Sequence, residues 1–256
     1  MKVLSIDLDY IMSPSIELYN SLFYDHNPAT RWTTLCQQTP FRENDFELDT
    51  MELMYCFNSF MKAIKTAKSV SFGYSHDAIL YELDTYEEPI DLINIDHHDD
   101  VFGGDFLDAF GGDGNMEEAL HKEFQELNMH KRTNEGNWVG YLASQCKLNS
   151  YTWISNRNSA NRKWSHMIEE MIPNYLNLTQ FDPSVQELGD DFDHVFVCLS
   201  PQYLPHRFWH YFAMLISIYE ELTGESANVI TKSFEAEYRY EETNDEILYQ
   251  CSTGRG

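Results

Sequence analysis

Residues 90–100 read IDLINIDHHDD, a mainly apolar run that ends in five consecutive ionisable residues. The run predicts a buried strand over 91–95, because short apolar runs without helical spacing are typical of strands covered on both faces. Similar runs alternate along the chain with segments of helical spacing: strands are expected at 2–9, 69–74, 151–154 and 194–199, and helices at 47–68 and 208–222. This alternation predicts an α/β three-layer sandwich with a mostly parallel central sheet.

The chain has 256 residues and no repeat or linker that divides it, so we expect a single domain over 1–256. Its five cysteines are odd in number, dispersed and free of CxxC pairs, which indicates no disulfide framework and suits a reducing compartment. The sequence has no signal-peptide core and no apolar stretch approaching ~18 residues. A cytoplasmic protein is therefore predicted.

The charge of the chain excludes two classes of partner. Asp and Glu number 42 against 17 Lys and Arg, which gives a formal net charge of −25. A surface this acidic repels phosphates and anionic lipids, so neither nucleic acid nor a membrane is an expected partner. The same field attracts metal ions or a substrate with a guanidinium or ammonium group, although acidity by itself commonly serves solubility.

Asp96, His98 and Asp100 occupy alternate positions where the predicted strand gives way to a loop, so their side chains can converge. Carboxylate and imidazole donors without a thiolate favour manganese or another first-row divalent ion over a structural zinc. The alternative is a solvated polar strand end. A metal is favoured because five consecutive ionisable residues are costly to crowd together without a cation between them.

Two further polar clusters follow predicted strands. Asp7 and Asp9 form a second alternating pair, and two such carboxylates repel each other unless a cation or proton lies between them. His76 follows the strand at 69–74. A lone histidine there is more commonly structural, and only its position relative to the other clusters favours a ligand role. Because ligands gather at the carboxyl ends of parallel strands, one shared metal site is predicted.

Together these segments resemble the arginase and agmatinase family, the manganese-dependent ureohydrolases. That family carries Gly-Gly-Asp-His-Ser, Asp-x-His-x-Asp and Ser-x-Asp-x-Asp-x-x-x-Pro segments. The corresponding segments here are Gly73–His76, Asp96–Asp100 and Ser5–Asp9 with Pro14 following. The chain is most similar to the small, divergent arginase-like proteins that include peptide arginases, which convert arginine side chains of ribosomally made peptides to ornithine.

The resemblance implies an arginase/deacetylase-like fold and a centre of two manganese ions. In the implied ligand set Asp96 and Asp7 bridge the ions, His76 and Asp100 complete one ion, and His98 and Asp9 complete the other. Asp96, His98 and Asp100 are then also catalytic residues. A hydroxide held between the ions would attack the guanidinium carbon and release urea. The implied substrate is an arginine-containing peptide, such as a ribosomal precursor peptide.

The sequence departs from the family pattern in the order of its motifs and in the proton shuttle. Ser-x-Asp-x-Asp precedes Asp-x-His-x-Asp here, so a rearranged order of strands would have to supply the ligands. Val139 stands in Gly136–Gly140 where the family has its shuttle histidine, and His121, His130 or water stay open as replacements.

Substrate recognition also departs from the family pattern. The loop from Phe102 to Glu135 is long, glycine-rich and acidic, which fits a substrate that presents only a side chain. The carboxylate that would hold the guanidinium is left open among Glu17, Glu52 and Asp77.

Three alternatives stay open. Ile6–Ile11 is similar to the first motif of haloacid-dehalogenase-type phosphatases, but Gly189–Asp191 precedes a strand where that family needs an acidic motif after one, and Asp96–Asp100 would have no role. An amide hydrolase of the same fold would use the same metals. A non-catalytic metal-binding protein is the third alternative, because the shuttle histidine is replaced.

Overall fold

The protein is described by a computed structural model that covers residues 1–13, 46–102, 133–159, 165–201 and 203–234. Its main sheet consists of seven parallel strands: β1 (Lys2–Asp7), β4 (Ser69–Gly73), β5 (Ile90–Asp96), β6 (Leu148–Ser155), β7 (Tyr175–Leu178), β8 (His194–Cys198) and β9 (Asn228–Ile230). Their order across the sheet is β7-β6-β5-β1-β8-β4-β9. Two short strands, β2 (Met12–Ser13) and β3 (Glu47–Leu48), form a separate antiparallel pair.

The described helices are α1 (Thr50–Ala63), α2 (Leu80–Leu83), α3 (Trp138–Ser144), α4 (Ser165–Met171) and α5 (Trp209–Thr223). Asp49 caps α1, since its Oδ1 atom accepts hydrogen bonds from the backbone N–H groups of Met51 and Glu52. Gly224 ends α5 with φ +73°, a left-handed conformation that glycine adopts without strain. No helix in the described ranges is long and apolar enough to cross a membrane.

The two faces of the sheet are covered by different helices. Side chains alternate along β1, so Leu4 and Ile6 face a core that includes side chains of α1 and α5. Val3 faces the other core, which includes side chains of α2, α3 and α4. The predicted α/β three-layer sandwich with a parallel central sheet is therefore confirmed.

Two predicted strands end earlier than expected, each at an aspartate. β1 ends at Asp7 rather than Asp9, because the Asp7 carboxylate accepts the backbone N–H of Asp9 and begins a 3-10 helix at Leu8–Ile11. β5 ends at Asp96, whose Oδ1 accepts the backbone N–H of His98 in the same way. Alternation along a strand is thus the wrong explanation for how these side chains converge, and the turns bring them together instead.

The order of the strands in the sheet explains how the three motifs can meet although Ser-x-Asp-x-Asp precedes Asp-x-His-x-Asp in the sequence. β1 is first in the chain but lies in the middle of the sheet, between β5 and β8. Asp7 of β1 and Gly73 of β4 are both paired with Cys198 of β8. Ile6 is paired with Ile95, so β1, β4, β5 and β8 end at the same edge. Parallel pairing therefore brings the three motifs together regardless of their order in the sequence.

Candidate metal centre

Three predicted ligands meet at this edge of the sheet and form what we call the inner group: Asp7, His76 and Asp96. Asp7 ends β1, Asp96 ends β5, and His76 begins the 3-10 helix that follows β4. The Nδ1 atom of His76 lies 3.2 Å from Oδ2 of Asp7 and 3.1 Å from Oδ2 of Asp96. Asp100 adjoins the group, since its Oδ2 atom lies 2.8 Å from the same nitrogen.

Asp9, Asp96 and His98 form a second cluster, the outer group. The Nδ1 atom of His98 lies 3.1 Å from Oδ2 of Asp9 and 3.9 Å from Oδ1 of Asp96. In each group the ligand atoms lie within 4.8 Å of one another, close enough for one cation. The structure thus brings all six predicted ligands together. Asp96 belongs to both groups, whereas Asp7 belongs to the inner group alone and its bridging role stays a prediction.

Several buried ligand atoms have no hydrogen-bond partner outside the ligand cluster among the described residues. They are Nδ1 of His76, which faces carboxylates of the cluster, and both carboxylate oxygens of Asp9, of which Oδ2 faces His98. His76 is 1% exposed and Asp9 is 0% exposed, so solvent does not compensate. An unpaired buried polar group costs about 1–3 kcal/mol, which a bound cation would remove. Imidazole nitrogens and carboxylate oxygens are suitable donors for a first-row divalent ion, so these residues fit the predicted metal.

The crowding of buried carboxylates also shifts the pKa values of the ligand side chains. Burial, with the charge of Asp7 beside it, raises the pKa of Asp9 to about 8. Burial, together with Asp100 and Asp7, raises the pKa of Asp96 to about 7. Burial lowers the pKa of His98, but the Asp9 carboxylate outweighs it and raises the value to about 10. Protons are therefore held within the cluster when no metal is bound, and a divalent cation would displace them.

Three side chains outside the predicted ligand set donate or share hydrogen bonds with the ligands. Ser5 Oγ lies 2.6 Å from Nε2 of His76. Ser200 Oγ donates to Oδ2 of Asp7 at 2.5 Å, and Trp138 Nε1 donates to Oδ2 of Asp100 at 2.6 Å. Sequence reasoning assigned none of the three a role. Ser5 and Trp138 lie inside the motif segments Ser5–Asp9 and Gly136–Gly140, and Ser200 directly follows β8, the strand beside β1. These positions in the sequence were the only indication that the three residues lie near the ligands.

His98 is the most exposed of the six candidate ligands. Its side chain is 27% exposed, whereas the other five ligand side chains are nearly buried. The ring of Tyr203 lies 5.0 Å from the His98 ring, centroid to centroid. An aromatic face at such a position attracts cations.

The segment that replaces the shuttle motif supports Asp100 instead of offering a titratable side chain. Val139 is buried in the core, and its backbone N–H donates to the carbonyl oxygen of Asp100 at 3.0 Å. Together with the Trp138 bond, this contact holds Asp100 in a left-handed conformation with φ +53°. His121 and His130, the two histidines considered as replacements, lie outside the described residues.

The candidate guanidinium-binding carboxylates make other contacts. Glu52 is buried and accepts a hydrogen bond from Nε2 of Gln180 at 2.5 Å, and burial raises its pKa. Asp77 accepts hydrogen bonds from Ser75 and Ser233 at 2.5 and 2.6 Å. Neither belongs to the inner or the outer group. Glu17 lies outside the described residues, as does Pro14.

Fold and site together define an α/β protein with a buried cluster of aspartates and histidines that is compatible with a metal centre. Comparisons of the chain with protein-family models, with curated proteins and with solved structures found no match. The ureohydrolase resemblance therefore rests on the motif residues and on where the structure places them.

Proposed function

We propose that this protein is a manganese-dependent hydrolase with two metal positions that converts arginine side chains of a peptide to ornithine and urea. The observation that supports the proposal is the convergence of five residues from three separate motifs into two groups that share Asp96, with Asp100 adjoining the inner group. A structural metal site needs only one such group. Two adjacent groups with a common carboxylate favour a catalytic centre.

The chain's own residues have distinct tasks in this proposal. Asp7, His76 and Asp96 would hold one ion, with Asp100 beside them, and Asp9, Asp96 and His98 would hold the other. Asp96 directs Oδ2 toward His76 and Oδ1 toward His98, which suits a shared ligand. Two divalent ions, when bound, supply Lewis acidity that lowers the pKa of water and stabilises developing charge.

A cationic substrate agrees with the charge of the chain and with the exposure of His98. The formal net charge of −25 would attract a guanidinium group from solution. His98 is the exposed ligand, and the Tyr203 ring beside it offers a cation–π contact. The substrate in this proposal is a side chain within a peptide, such as a ribosomal precursor peptide, and the reaction takes place in the cytoplasm.

The phosphatase alternative is disfavoured by the topology. Its late acidic motif would have to be Asp190 and Asp191, which precede β8. β8 runs parallel to β1, and Asp193 donates its backbone N–H to the carbonyl oxygen of Lys2 at the start of β1. Asp190 and Asp191 therefore lie near the amino-terminal edge of the sheet, whereas Asp7 and Asp9 lie at the opposite, carboxyl-terminal edge.

The test combines elemental analysis with a product assay. Purified protein is analysed for metals, loaded with manganese and incubated with an arginine-containing peptide, while urea and the conversion of arginine to ornithine are followed by mass spectrometry. We expect about two ions per chain and urea formation, with free arginine and a lysine-containing peptide as comparison substrates. Two ions without urea would favour amide hydrolysis, and absence of metal binding would contradict the proposal and favour the scaffold or phosphatase alternatives.

A further inference from the structure

The Asp9 carboxylate is positioned in a different way from that of Asp7. Asp7 accepts a hydrogen bond from the side chain of Ser200, which lies outside the ligand cluster. Asp9 is fully buried, and among the described residues its carboxylate oxygens contact no hydrogen-bond donor outside the cluster. Within the cluster, its Oδ2 atom lies 3.1 Å from Nδ1 of His98. The place of this carboxylate therefore depends on the backbone that carries it.

The backbone of residues 10–12, directly after Asp9, is held by donors from two distant parts of the chain. All three of its carbonyl oxygens accept a hydrogen bond. The side-chain Nδ2 atom of Asn156 donates to the first and the third, at 2.7 and 3.0 Å. The backbone N–H of Asp49 donates to the second at 2.8 Å. Asn156 is 0% exposed, so water does not compete for its two bonds.

The two donors are also joined to each other. Arg157, the neighbour of Asn156, donates from its guanidinium group to Oδ2 of Asp49. The Oδ1 atom of Asn156 accepts the backbone N–H of Asn158 at 2.8 Å, which fixes the orientation of the amide group. These residues follow β6, and β5 separates β6 from β1 in the sheet. The contact therefore spans the end of β5 and closes on the segment that carries Asp9.

We propose that Asn156 is a positioning residue for the outer group, because it fixes the backbone of residues 10–12 and so places the Asp9 carboxylate opposite His98. Loss of the amide group would take a buried donor away from two carbonyl oxygens, and the segment would shift or admit water to satisfy them. Either change would displace Asp9. This inference rests on the proposed metal centre and not on the guanidine chemistry.

The test is a calorimetric titration of four chelator-treated proteins with Mn²⁺: wild type, Asn156→Ser, His98→Ala and the double variant. Elemental analysis counts the bound ions. A serine hydroxyl group has one hydrogen to donate and cannot serve both carbonyl oxygens, but its oxygen can still accept the N–H of Asn158. Asn156→Ser should weaken the binding of one of the two ions by ~10–100-fold, the usual effect of removing a group that orients a metal ligand.

The double variant separates positioning from a general loss of stability. In His98→Ala the outer group already lacks a ligand, so one ion should remain bound. Adding Asn156→Ser to this background should leave the affinity for the remaining ion unchanged, whereas a merely structural role would weaken it too. Ser71→Ala is the matched control, because it removes another buried side-chain contact, 3.1 Å from Nε2 of His194, outside both groups. It should bind Mn²⁺ as wild type does.

A further variant covers the case in which circular dichroism shows that Asn156→Ser does not fold. The Arg157 side chain is 52% exposed, so Arg157→Ala should fold, and loss of its bond to Asp49 should weaken the same ion to a smaller extent. Unchanged Mn²⁺ affinity in the folded variant, or a weaker remaining ion in the His98→Ala background, would overturn the inference. Absence of any Mn²⁺ binding by wild type would overturn the metal centre as well. Two bound ions without urea formation would overturn only the proposed reaction.

Discussion

Asp96 stands between the inner and outer groups with one carboxylate oxygen toward each imidazole. Its oxygens also accept hydrogen bonds from the backbone of His98 and from the side chain of Asn94, so its orientation is fixed from both sides. The neighbouring Asp99 belongs to neither group and accepts the backbone N–H of Val101 instead. Two aspartates of the same acidic run therefore have different roles.

Replacing these two aspartates with asparagine tests the shared role. Asp96→Asn removes a negative charge from both groups while keeping the shape of the side chain, so we expect the loss of both bound manganese ions. Asp99→Asn keeps an oxygen that can accept from Val101 and should retain both ions. Elemental analysis after gel filtration measures the difference. Full metal occupancy in Asp96→Asn would exclude Asp96 as the shared ligand.

His194 is a buried histidine at the opposite end of the sheet from the metal centre. Its Nδ1 and Nε2 atoms contact the hydroxyl groups of Ser69 and Ser71 at 2.8 and 3.1 Å. In a neutral imidazole ring one nitrogen donates and the other accepts, and a serine hydroxyl group can do either. The two serines therefore satisfy both nitrogens of the neutral ring. Burial lowers the pKa of His194 to about 4.

This lowered pKa makes the stability of the fold depend on pH. The folded state disfavours the protonated ring, so the contribution of His194 is fully present above the unfolded pKa of about 6.5 and is lost as the pH falls toward about 4. The complete loss is on the order of 3 kcal/mol in the free energy of unfolding. His194→Gln cannot protonate and should lose stability less steeply from pH 7 to pH 5 in urea unfolding. Parallel curves for wild type and variant would contradict this assignment.

At the scale of elements, the end of β4 is fitted closely to β8. Gly73 pairs with Cys198, and a Cβ atom at Gly73 would lie 2.5 Å from Cζ of Phe196. The Phe196 ring is buried and stacks on the His76 ring with centroids 6.1 Å apart and an interplanar angle of 12°. Glycine at this position therefore leaves room for the ring that supports a metal ligand.

Gly73→Ala should affect both stability and metal binding. The added methyl group forces Phe196 to move, and overpacking of a core by this amount typically costs ~1–3 kcal/mol in the free energy of unfolding. Because Phe196 supports His76, Mn²⁺ affinity should fall as well. Urea unfolding and calorimetry measure the two effects.

The double variant Gly73→Ala with Phe196→Leu serves as the control. The smaller leucine side chain makes room for the methyl group, so the double variant should lose less stability than the sum of the two single variants. Strict additivity would mean that the methyl group and the ring do not interact.

The elements themselves were largely predictable from the sequence, and their ends were not. Apolar runs located β1, β4, β5, β6 and β8, because each strand is covered on both faces and its sequence carries that burial directly. The ends of β1 and β5 depend on Asp7 and Asp96, each of which captures a backbone N–H two residues ahead. β7 and β9 were not predicted, since their short segments contain polar residues and only partial burial.

At the scale of the whole molecule, the arrangement of strands could not be read from the sequence. The six candidate ligands could be assigned to one edge of the sheet because strand ends carry polar clusters, a local signal. The partners that orient them are distant in sequence: Ser200 contacts a residue 193 positions away, and Trp138 one 38 positions away. The contact of Ser200 follows from the pairing of β8 with β1, and no single segment encodes that pairing.

The acidity of the chain is a property of the whole molecule and has its own consequence for stability. Because the formal net charge is −25, pairs of like-charged side chains outnumber pairs of opposite charge such as Lys68 with Asp193. Folding brings the repelling charges closer together, so self-repulsion destabilises the compact state. Salt screens this repulsion, because the Debye length falls from about 30 Å at 0.01 M to about 8 Å at 0.15 M ionic strength.

Raising sodium chloride from about 0.01 M to about 0.15 M should therefore raise the urea midpoint of unfolding. The titration is done with excess chelator, so that metal binding does not contribute, and with chloride rather than sulfate, which strengthens apolar burial by itself. Buried carboxylates of the inner and outer groups are screened little by salt, so the effect reports on surface charge. A midpoint that falls with salt would mean that attractive surface pairs dominate despite the excess of acidic residues.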